Sequence, residues 1–322
     1  MFRGEPTSFN IFPVGQGDTT DLLILQRLVA IGPGLRGKKV VISLSPTWFF
    51  ERLQVPRKSY AGNISRLQAG EVAFSTDLSF DLKHAIAKRM LDYPDTLQRD
   101  TVLRFAVEKL ADGSLASRAL YYLALPLGKL RNLVLRLQDH WEILTYIWSR
   151  PDIQPAVPPR GTPPDWSALL VMAERESHRH TDSNPFGFDN QDWQRFYREQ
   201  VTAKRHSLGD RYFLSGLNRA REWIDLDLLL RVLQELGARP LILSMPLGGS
   251  YYDYVGVSAK ARAEYYAKVE QLASRCGAIV RDFADHDEER YFVLNARGHL
   301  LPKGWIYYSQ ALDDFYHDRP FQ

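Results

Sequence analysis

The sequence has a single cysteine, a small net charge and no long apolar run, and each of these features excludes a class of protein. Among the 322 residues there is one cysteine, Cys276, so no disulfide can form within the chain. The 41 Lys and Arg residues nearly match the 38 Asp and Glu residues, which excludes a general nucleic-acid-binding surface. No run of about 18 apolar residues occurs, so no segment is expected to span a membrane.

The remaining composition is that of a globular protein with a large core. Apolar residues make up 45% of the chain and charged residues 25%. A chain of this length can bury its core in one domain. We expect a single α/β domain over residues 1–322, with a helical insertion at about 63–150. Residues 151–164 contain six prolines and are expected to form an extended connector.

Short apolar runs predict the strands of a parallel sheet, and they lie at residues 38–44, 240–245 and 278–283. Amphipathic helices are predicted at residues 21–31, 222–237 and 259–276. Because helices alternate with strands through short connections, right-handed β-α-β units are expected, with helices on both faces of the sheet. Residues 9–14 are interpreted as a further strand that ends in a turn at Gly15.

The block from 63 to 150 is helical in pattern throughout. Spaced apolar residues predict four helices, at 65–75, 80–91, 100–111 and 117–148. The last run is expected to break at residues 125–128, where Pro126 stands. Five aromatic residues of this last run are Tyr121, Tyr122, Trp141, Tyr146 and Trp148. Such residues are expected in the core, and the alternative is a groove that faces lipid or a partner.

A histidine near the C-terminus is the first candidate for catalysis. His299 lies in the loop at residues 295–304, after the strand at 278–283 and an acidic loop at 285–289, and just ahead of a predicted helix at 305–315. Many α/β hydrolytic and acyl-transfer folds carry their general base at this place, because sites of open α/β sheets are built from strand-end loops. The alternative is a loop histidine bonded to backbone.

Two other motifs are weaker candidates for chemistry. His178 and His180 suggest a zinc site, but a His-x-His pair shares one face only in a strand, and no third ligand follows at a suitable spacing, so a polar turn is preferred. Cys276, at a helix end, is interpreted as a core thiol. Residues 189–206 are predicted to form a charged surface helix. No metal and no cofactor are expected.

An aromatic, Gly-rich loop at residues 247–256 follows the strand at 240–245. Its tyrosines are Tyr251, Tyr252 and Tyr254. At the carboxyl end of a parallel strand they would either shape a substrate pocket or pack over the end of the sheet. Both interpretations stay open from the sequence.

Several uncommon motifs agree in order along most of the chain, from about residue 9 to 315. They are Ser-Pro-Thr-Trp-Phe at 45–49, Trp-Ile-Asp at 223–225, the block at 244–256, and His299 followed by Lys-Gly-Trp at 303–305. Together they resemble the DltD family of D-alanyl transfer proteins, a membrane-anchored group similar to SGNH hydrolases. The resemblance implies a three-layer α/β/α sandwich that transfers D-alanyl groups to cell-surface polymers through a Ser–Asp–His set.

The resemblance also assigns roles to residues. It implies that His299 is the general base and that Gly15 contributes to an oxyanion hole. Thr47 and Trp48 fall near the place of another conserved block of that group and would help to line the substrate pocket, as would the three tyrosines. Partners would be a D-alanyl donor, either a carrier protein or an acyl intermediate, a membrane acyltransferase and a cell-envelope polymer.

The chain departs from the family pattern in two ways. Three residues before the histidine, where an aspartate is expected, it has Ala296, and Asn295 or the acidic loop is the nearest substitute. The nucleophilic serine, in a Gly-Ser-Ser-Glu block, is expected upstream of residue 1, together with a membrane anchor for the extracytoplasmic face. The chain alone is therefore expected to hydrolyse esters negligibly, and Ser45 or Ser250 would be the first alternatives if it does not.

Those departures leave a second function open. The protein would keep the SGNH fold without catalysis and would present a D-alanyl carrier or a membrane acyltransferase to its partner. If His299 is instead a base, it should lie on the same sheet edge as Gly15 and the turn at 45–48. We expect it within about 15 Å of Gly15, since longer distances exceed any hydrogen-bond relay.

Overall fold

A parallel sheet of three strands lies at the centre of the fold. The computed structural model describes residues 9–15, 17, 19–50, 57–150, 163–199 and 201–321, so the proline-rich connector lies almost wholly outside the described residues. The strands are β1 (Lys39–Leu44), β2 (Arg239–Ser244) and β3 (Ile279–Arg281), in the order β1-β2-β3. All pairs are parallel, which confirms that the three predicted strands share one sheet.

Helices surround this sheet. In chain order they are α1 (Asp21–Ile31), α2 (Arg57–Asn63), α3 (Arg66–Phe74), α4 (Phe80–Met90), α5 (Thr101–Asp112), α6 (Leu115–Trp148), α7 (Trp166–His180), α8 (Asn190–Asp192), α9 (Val201–Lys204), α10 (Gly209–Arg219), α11 (Glu222–Glu235), α12 (Gly249–Tyr254), α13 (Ala259–Arg275) and α14 (Pro302–Tyr316). The predicted surface helix at 189–206 is replaced by α8, a π-helical turn at Trp193–Tyr197 and α9.

Both faces of the sheet are covered, because neighbouring side chains of a strand point to opposite faces. On one face the Ser43 hydroxyl lies 2.6 Å from that of Tyr308 in α14. On the other face the Ser244 hydroxyl lies 2.8 Å from that of Tyr265 in α13. The sheet and its helices therefore form an α/β fold of the three-layer type, as predicted.

The predicted insertion is helical, and its helices begin where the sequence provides caps. Ser65, Ser79, Asp100 and Ser114 each accept an N–H from the residue three positions on, at the starts of α3, α4, α5 and α6. Such caps satisfy backbone donors that have no partner within the helix. The insertion then packs on α1 and α11, which contact each other on one face of the sheet.

The expected break in the last helix is wrong. α6 continues for 34 residues through Pro126. Two residues later, Gly128 lies against the ring of Phe74 in α3, so closely that a Cβ would clash with it. Close packing of α6 on α3 therefore compensates for the one backbone hydrogen bond that proline removes.

The strand predicted at residues 9–14 is also wrong. Residues 10–15 form neither strand nor helix and are exposed, with Phe12 85% exposed. Phe9 is buried, and its ring stacks on Tyr316 at the end of α14 with the ring centroids 4.4 Å apart. The segment thus contacts the domain through Phe9, while residues 10–15 stay exposed.

Candidate active site

The loop that carries His299 lies at the carboxyl edge of the sheet. The Ser45 hydroxyl, just past β1, donates to the Arg297 carbonyl over 3.1 Å. Gly298 has φ +76°, and a Cβ there would lie 3.2 Å from Pro46. Glycine is therefore suited to this position by both conformation and space. The histidine loop and the turn at 45–48 share one edge, as predicted.

A small set of backbone bonds fixes the shape of the histidine loop. Val293 and Leu300 form an antiparallel bridge, and the Leu294 N–H donates to the His299 carbonyl over 2.6 Å. From outside the loop, the Tyr252 hydroxyl donates to the Ala296 carbonyl over 3.2 Å. The backbone is held on both sides, while the side chain of His299 is exposed.

Asn295 connects this histidine to a carboxylate. Its side chain is 4% exposed, and its amide nitrogen lies 3.0 Å from His299 Nδ1 and 2.6 Å from an oxygen of Asp192. Its amide oxygen accepts the Arg297 N–H over 3.0 Å. Asp192 stands 103 positions earlier in the chain. No sequence motif marked it, because only the fold brings it to this edge.

These bonds determine the tautomer of the imidazole. A carboxylate only accepts hydrogen bonds, so the amide of Asn295 must turn its NH₂ toward Asp192. The same NH₂ then donates to His299 Nδ1, and a neutral ring carries its proton on Nε2. An asparagine can orient an imidazole by accepting its N–H through the amide oxygen. Here the amide nitrogen of Asn295, which can only donate, faces Nδ1 instead.

The acidic loop at 285–289 does not replace the missing aspartate. Arg262, 1% exposed, holds Asp253, Asp287 and Glu288 together. Asp287 also accepts the Leu247 N–H over 2.9 Å. The loop therefore ties the end of β2 to the end of β3, and the carboxylate that the structure places nearest to the His299 relay is that of Asp192.

Glu289, the last residue of that loop, is paired with the Lys-Gly-Trp block. It bonds His286, and it lies 2.5 Å from the ammonium of Lys303. Burial raises the pKa of Glu289, but the bonds to His286 and Lys303 outweigh it and hold the pKa below its usual value. This ion pair anchors the start of α14, directly after His299.

Among the other predicted site residues, Thr47 and Trp48 lie in the turn after β1, whereas Gly15 lies next to α1. Thr47 is buried, with its hydroxyl 3.2 Å from that of Ser45, and Trp48 is half-buried beside it. Gly15 is exposed next to α1, where the Val14 carbonyl accepts from Arg27 over 2.6 Å. Its proximity to His299 stays a prediction.

The tyrosines after β2 mostly pack over the end of the sheet. Tyr251 and Tyr252 are buried, and the Tyr251 ring lies 5.3 Å from that of Phe188 between centroids. Tyr254 is half-buried and donates its hydroxyl to the Val201 carbonyl over 2.8 Å. Of the three, Tyr254 is the one that solvent reaches appreciably.

No described hydrogen bond links the two weaker motifs to His299, although the His178 ring lies 5.9 Å from that of Tyr291, ahead of the histidine loop. His178 and His180 belong to the last turn of α7, where side chains two residues apart point in different directions. His180 lies 3.1 Å from Glu176. Cys276 is partly buried directly after α13, and burial raises the pKa of its thiol.

Behind the turn at 45–49 lies a buried cluster of carboxyl groups at the starts of α1 and α11. Glu222 accepts the Asp21 N–H over 2.8 Å, and each carboxyl keeps one oxygen without a hydrogen-bond partner among the described residues. Burial, together with the charge of Asp225, raises the pKa of Asp21 to about 8. Burial and the charges of Asp21 and Asp225 raise the pKa of Glu222 as well. We infer that the Asp21–Glu222 pair holds one proton at neutral pH.

This pair predicts that stability falls as the pH rises. Unfolded carboxyl groups titrate near pH 4, whereas the folded pair keeps its proton to about pH 8, so the folded state binds more protons between those values. We expect the free energy of unfolding to drop by on the order of 4 kcal/mol from pH 5 to pH 9, at about 1.4 kcal/mol per pH unit up to pH 8, as measured by urea denaturation. Asp21→Asn combined with Glu222→Gln should flatten this slope, and Asp139→Asn, on the exposed part of α6, should leave it unchanged. An unchanged slope in the double variant would contradict the inference that the pair holds a proton.

These features define the class of protein. A parallel sheet covered on both faces, with a histidine loop at its carboxyl edge, is a three-layer α/β protein whose site is built from strand-end loops. Comparison with known proteins specifies it further. The family model described as "DltD protein" matches residues 1–317. The chain belongs to the DltD family, whose members act in the D-alanylation of teichoic acids.

Curated relatives agree with this assignment. The chain is 29% identical over 317 residues to Protein DltD of Bacillus subtilis, which covers 98% of this chain and 77% of that protein. It is 24% identical over 303 residues to Protein DltD of Staphylococcus aureus, covering 94% and 72%. Protein DltD of Lacticaseibacillus rhamnosus is 23% identical over 298 residues, covering 87% of this chain and 64% of that protein.

No helix within the described residues is both long and apolar enough to cross a membrane.

Proposed function

We propose that this protein is an extracytoplasmic D-alanyl O-acyl transferase of the SGNH type. It would work with a D-alanyl donor, a membrane acyltransferase and a cell-envelope polymer as acceptor. The observation that carries the proposal is the placement of His299 at the carboxyl edge of the sheet, with Asn295 and Asp192 behind it. Loops at this edge are where α/β sheets bind and transform their substrates.

The chemistry proceeds in two steps. A serine hydroxyl, supplied from upstream of residue 1, attacks the D-alanyl carbonyl and gives its proton to His299, which returns it to the leaving group. A hydroxyl of the polymer then attacks the acyl-serine by the same route, and the serine regains its proton. Backbone N–H groups near Gly15 would hold the negative oxygen of each intermediate. Thr47, Trp48 and Tyr254 would line an open groove for the polymer.

The base role requires a rearrangement at Asn295. A histidine that accepts a proton at Nε2 needs its own N–H at Nδ1, facing an acceptor. Rotation of the Asn295 amide would present its oxygen to Nδ1, at the expense of its bonds to Asp192 and Arg297. Asp192 therefore acts on the histidine by positioning the amide.

This relay can be tested without substrate by ¹⁵N NMR of the histidine side chains. We expect His299 to carry its proton mainly on Nε2. Asp192→Asn would allow either amide orientation, and a bond of about 1 kcal/mol should shift the tautomer ratio roughly fivefold toward Nδ1–H. His84 serves as the control, because its Nδ1 lies 2.6 Å from the Leu110 carbonyl and must carry the proton in both proteins. A predominantly Nδ1-protonated His299 in the unsubstituted protein would contradict the amide orientation.

A chimera tests the function itself. This chain would replace the matching 77% of Protein DltD in Bacillus subtilis cells that lack their own copy. We expect base-labile D-alanine on the cell envelope to be restored. The purified chain alone should hydrolyse D-alanyl and short-chain esters negligibly. A folded chimera that leaves the envelope without D-alanine would contradict the proposal.

A specific observation favours the second candidate function, a non-catalytic binding protein. Ala296 stands at the expected position of the aspartate, and the Asn295 amide holds His299 in the tautomer that donates from Nε2. In that case the edge of the sheet would present the D-alanyl carrier or the membrane acyltransferase to its partner. The chimera would then restore D-alanine whether or not His299 is present.

A further inference from the structure

α6 carries a regular apolar stripe that no described element covers. Starting at Leu120, apolar residues recur with alternating spacings of three and four, which is a heptad pattern over four repeats. The stripe consists of Leu120, Leu123, Leu127, Leu130, Val134, Leu137, Trp141, Leu144 and Trp148. All nine are exposed, with Leu137 at 63%, Trp141 at 62% and Trp148 at 69%. An apolar patch of this extent marks an interaction site in a soluble domain.

The stripe faces away from the protein. The residues by which α6 packs on α3 and α5 are buried, and they include Ser117, Tyr121, Gly128 and Asn132. At 100° per residue they lie on the side of the helix opposite to the stripe. The stripe is roughly 42 Å long, at 1.5 Å per residue, and no described residue covers it along that length.

Charges and aromatic residues accompany the stripe. From Leu115 to Arg150 there are five Lys and Arg residues against two acidic ones. Arg131 lies at the edge of the stripe and also bonds Asp100, whereas Lys129 and Arg136 lie on the flank of α6 that faces α3, where Arg136 bonds Glu71. At the end of the helix the guanidinium of Arg150 lies over the ring of Tyr146, 4.8 Å from its centroid. Tryptophan and tyrosine next to cations are typical of helices that lie in the headgroup region of a membrane.

We propose that the exposed stripe of α6 docks on a lipid bilayer that carries anionic headgroups. The helix would lie in the plane of the interface, with its leucines and tryptophans among the acyl chains and its cations at the phosphates. The α/β domain would then be attached to the membrane by the side of α6 that faces away from the rest of the domain.

The last two turns distinguish a lipid surface from a second helix. Residues 141–148 are apolar except for Glu142 and Thr145, and Ile143 and Tyr146, which lie off the stripe, are each 50% exposed. A second copy packed on the stripe would cover one side of these turns. A lipid interface can contact all sides of residues 141–148. It would therefore also bury Ile143 and Tyr146, which a second helix would leave in water.

Vesicle binding of the full chain tests the proposal. We expect it to co-sediment with vesicles made of equal parts phosphatidylglycerol and phosphatidylcholine, more weakly with phosphatidylcholine alone and more weakly in high salt. Leu137→Glu combined with Leu144→Glu should lower the partition coefficient at least about tenfold, because apolar burial drives such binding. Brominated lipid should quench tryptophan fluorescence, and Trp141→Phe with Trp148→Phe should abolish most of the quenching.

Met172→Glu is the matched control, since it makes the same kind of change at an exposed apolar residue, 65% exposed, on α7. It should bind as the unsubstituted protein does. Circular dichroism would establish that all variants fold, as expected for exposed positions. Equal binding by the Leu137→Glu, Leu144→Glu protein would overturn the proposal. So would an absence of vesicle binding together with a dimer, seen in sedimentation equilibrium, that these substitutions dissociate, because the stripe would then belong to a second copy.

Discussion

His299→Ala is expected to lower D-alanyl transfer by on the order of 100-fold or more, the scale on which a general base contributes. The measurement is the initial rate of D-alanine ester formation by the chimera with the Bacillus subtilis relative. The fold should be retained, because the side chain is exposed and its described side-chain bond is the one to Asn295. The backbone bond from Leu294 to the carbonyl of residue 299 does not depend on the imidazole.

His180→Ala provides the control for this substitution. His180 is also exposed, and its Nε2 lies near a carboxylate, Glu176, but on α7. Its loss should leave the rate unchanged. If His299→Ala also leaves the rate unchanged, the binding-protein function is the better account. Ester hydrolysis by the chain alone would instead make Ser45, at the carboxyl edge of the sheet, and the exposed Ser250 the candidate nucleophiles.

The elements that were predicted correctly are those whose local signals agree with their packing. The strand at 240–245 is an apolar run in a sheet whose faces are both covered, so composition alone identifies it. The helices predicted at 65–75 and 117–148 begin in the structure at Arg66 and Leu115, where Ser65 and Ser114 cap them. In these places the local sequence and the tertiary environment favour the same conformation.

The wrong predictions arose where a distant contact decided the conformation. Residues 9–14 are rich in the apolar residues of a short strand, but the ring of Phe9 is held by Tyr316 at the other end of the chain. Pro126 predicts a break, but Gly128 lets α6 pack closely on α3 and continue. Neither contact can be inferred from nearby residues.

The candidate site likewise has one part that the sequence predicts and one part that it does not. The position of His299 on the sheet edge follows from its place after the last strand, since carboxyl ends of parallel strands meet at one edge. Asp192 could not be predicted, because it belongs to a segment whose pattern indicates a surface helix. The donor role of the Asn295 amide likewise depends on Asp192 and not on the residues that flank the histidine.

The Trp-Ile-Asp block at 223–225, one of the motifs behind the family resemblance, is structural. The Trp223 ring lies 4.3 Å from that of Phe49 between centroids, and its indole N–H donates to the Leu217 carbonyl over 2.7 Å. Asp225 binds Arg89 of α4 through two bonds of 2.7 Å. The block therefore joins α11 to the turn after β1 and to the helical insertion.

Removal of Arg89 should be among the most destabilising single changes in the domain. Asp225 is fully buried and the Arg89 side chain is 6% exposed. Burial already raises the pKa of Asp225, and the two bonds from Arg89 offset part of that rise. Arg89→Met leaves the carboxyl group buried without its partner, which typically costs about 3–5 kcal/mol. Urea denaturation at pH 7 measures the loss.

A second substitution shows that the cost comes from the unpaired carboxylate. Arg89→Met combined with Asp225→Leu removes both charges, and we expect it to recover most of the lost stability, since buried pairs are often replaced by apolar residues at little net cost. Arg104→Met, which breaks the exposed Arg104–Glu108 pair on α5, should cost less than about 1 kcal/mol. Asp225→Leu alone is measured as well. If the losses in free energy of unfolding caused by Arg89→Met and by Asp225→Leu instead add in the double variant, the two side chains are not coupled, and α4 is held on α11 by apolar packing alone.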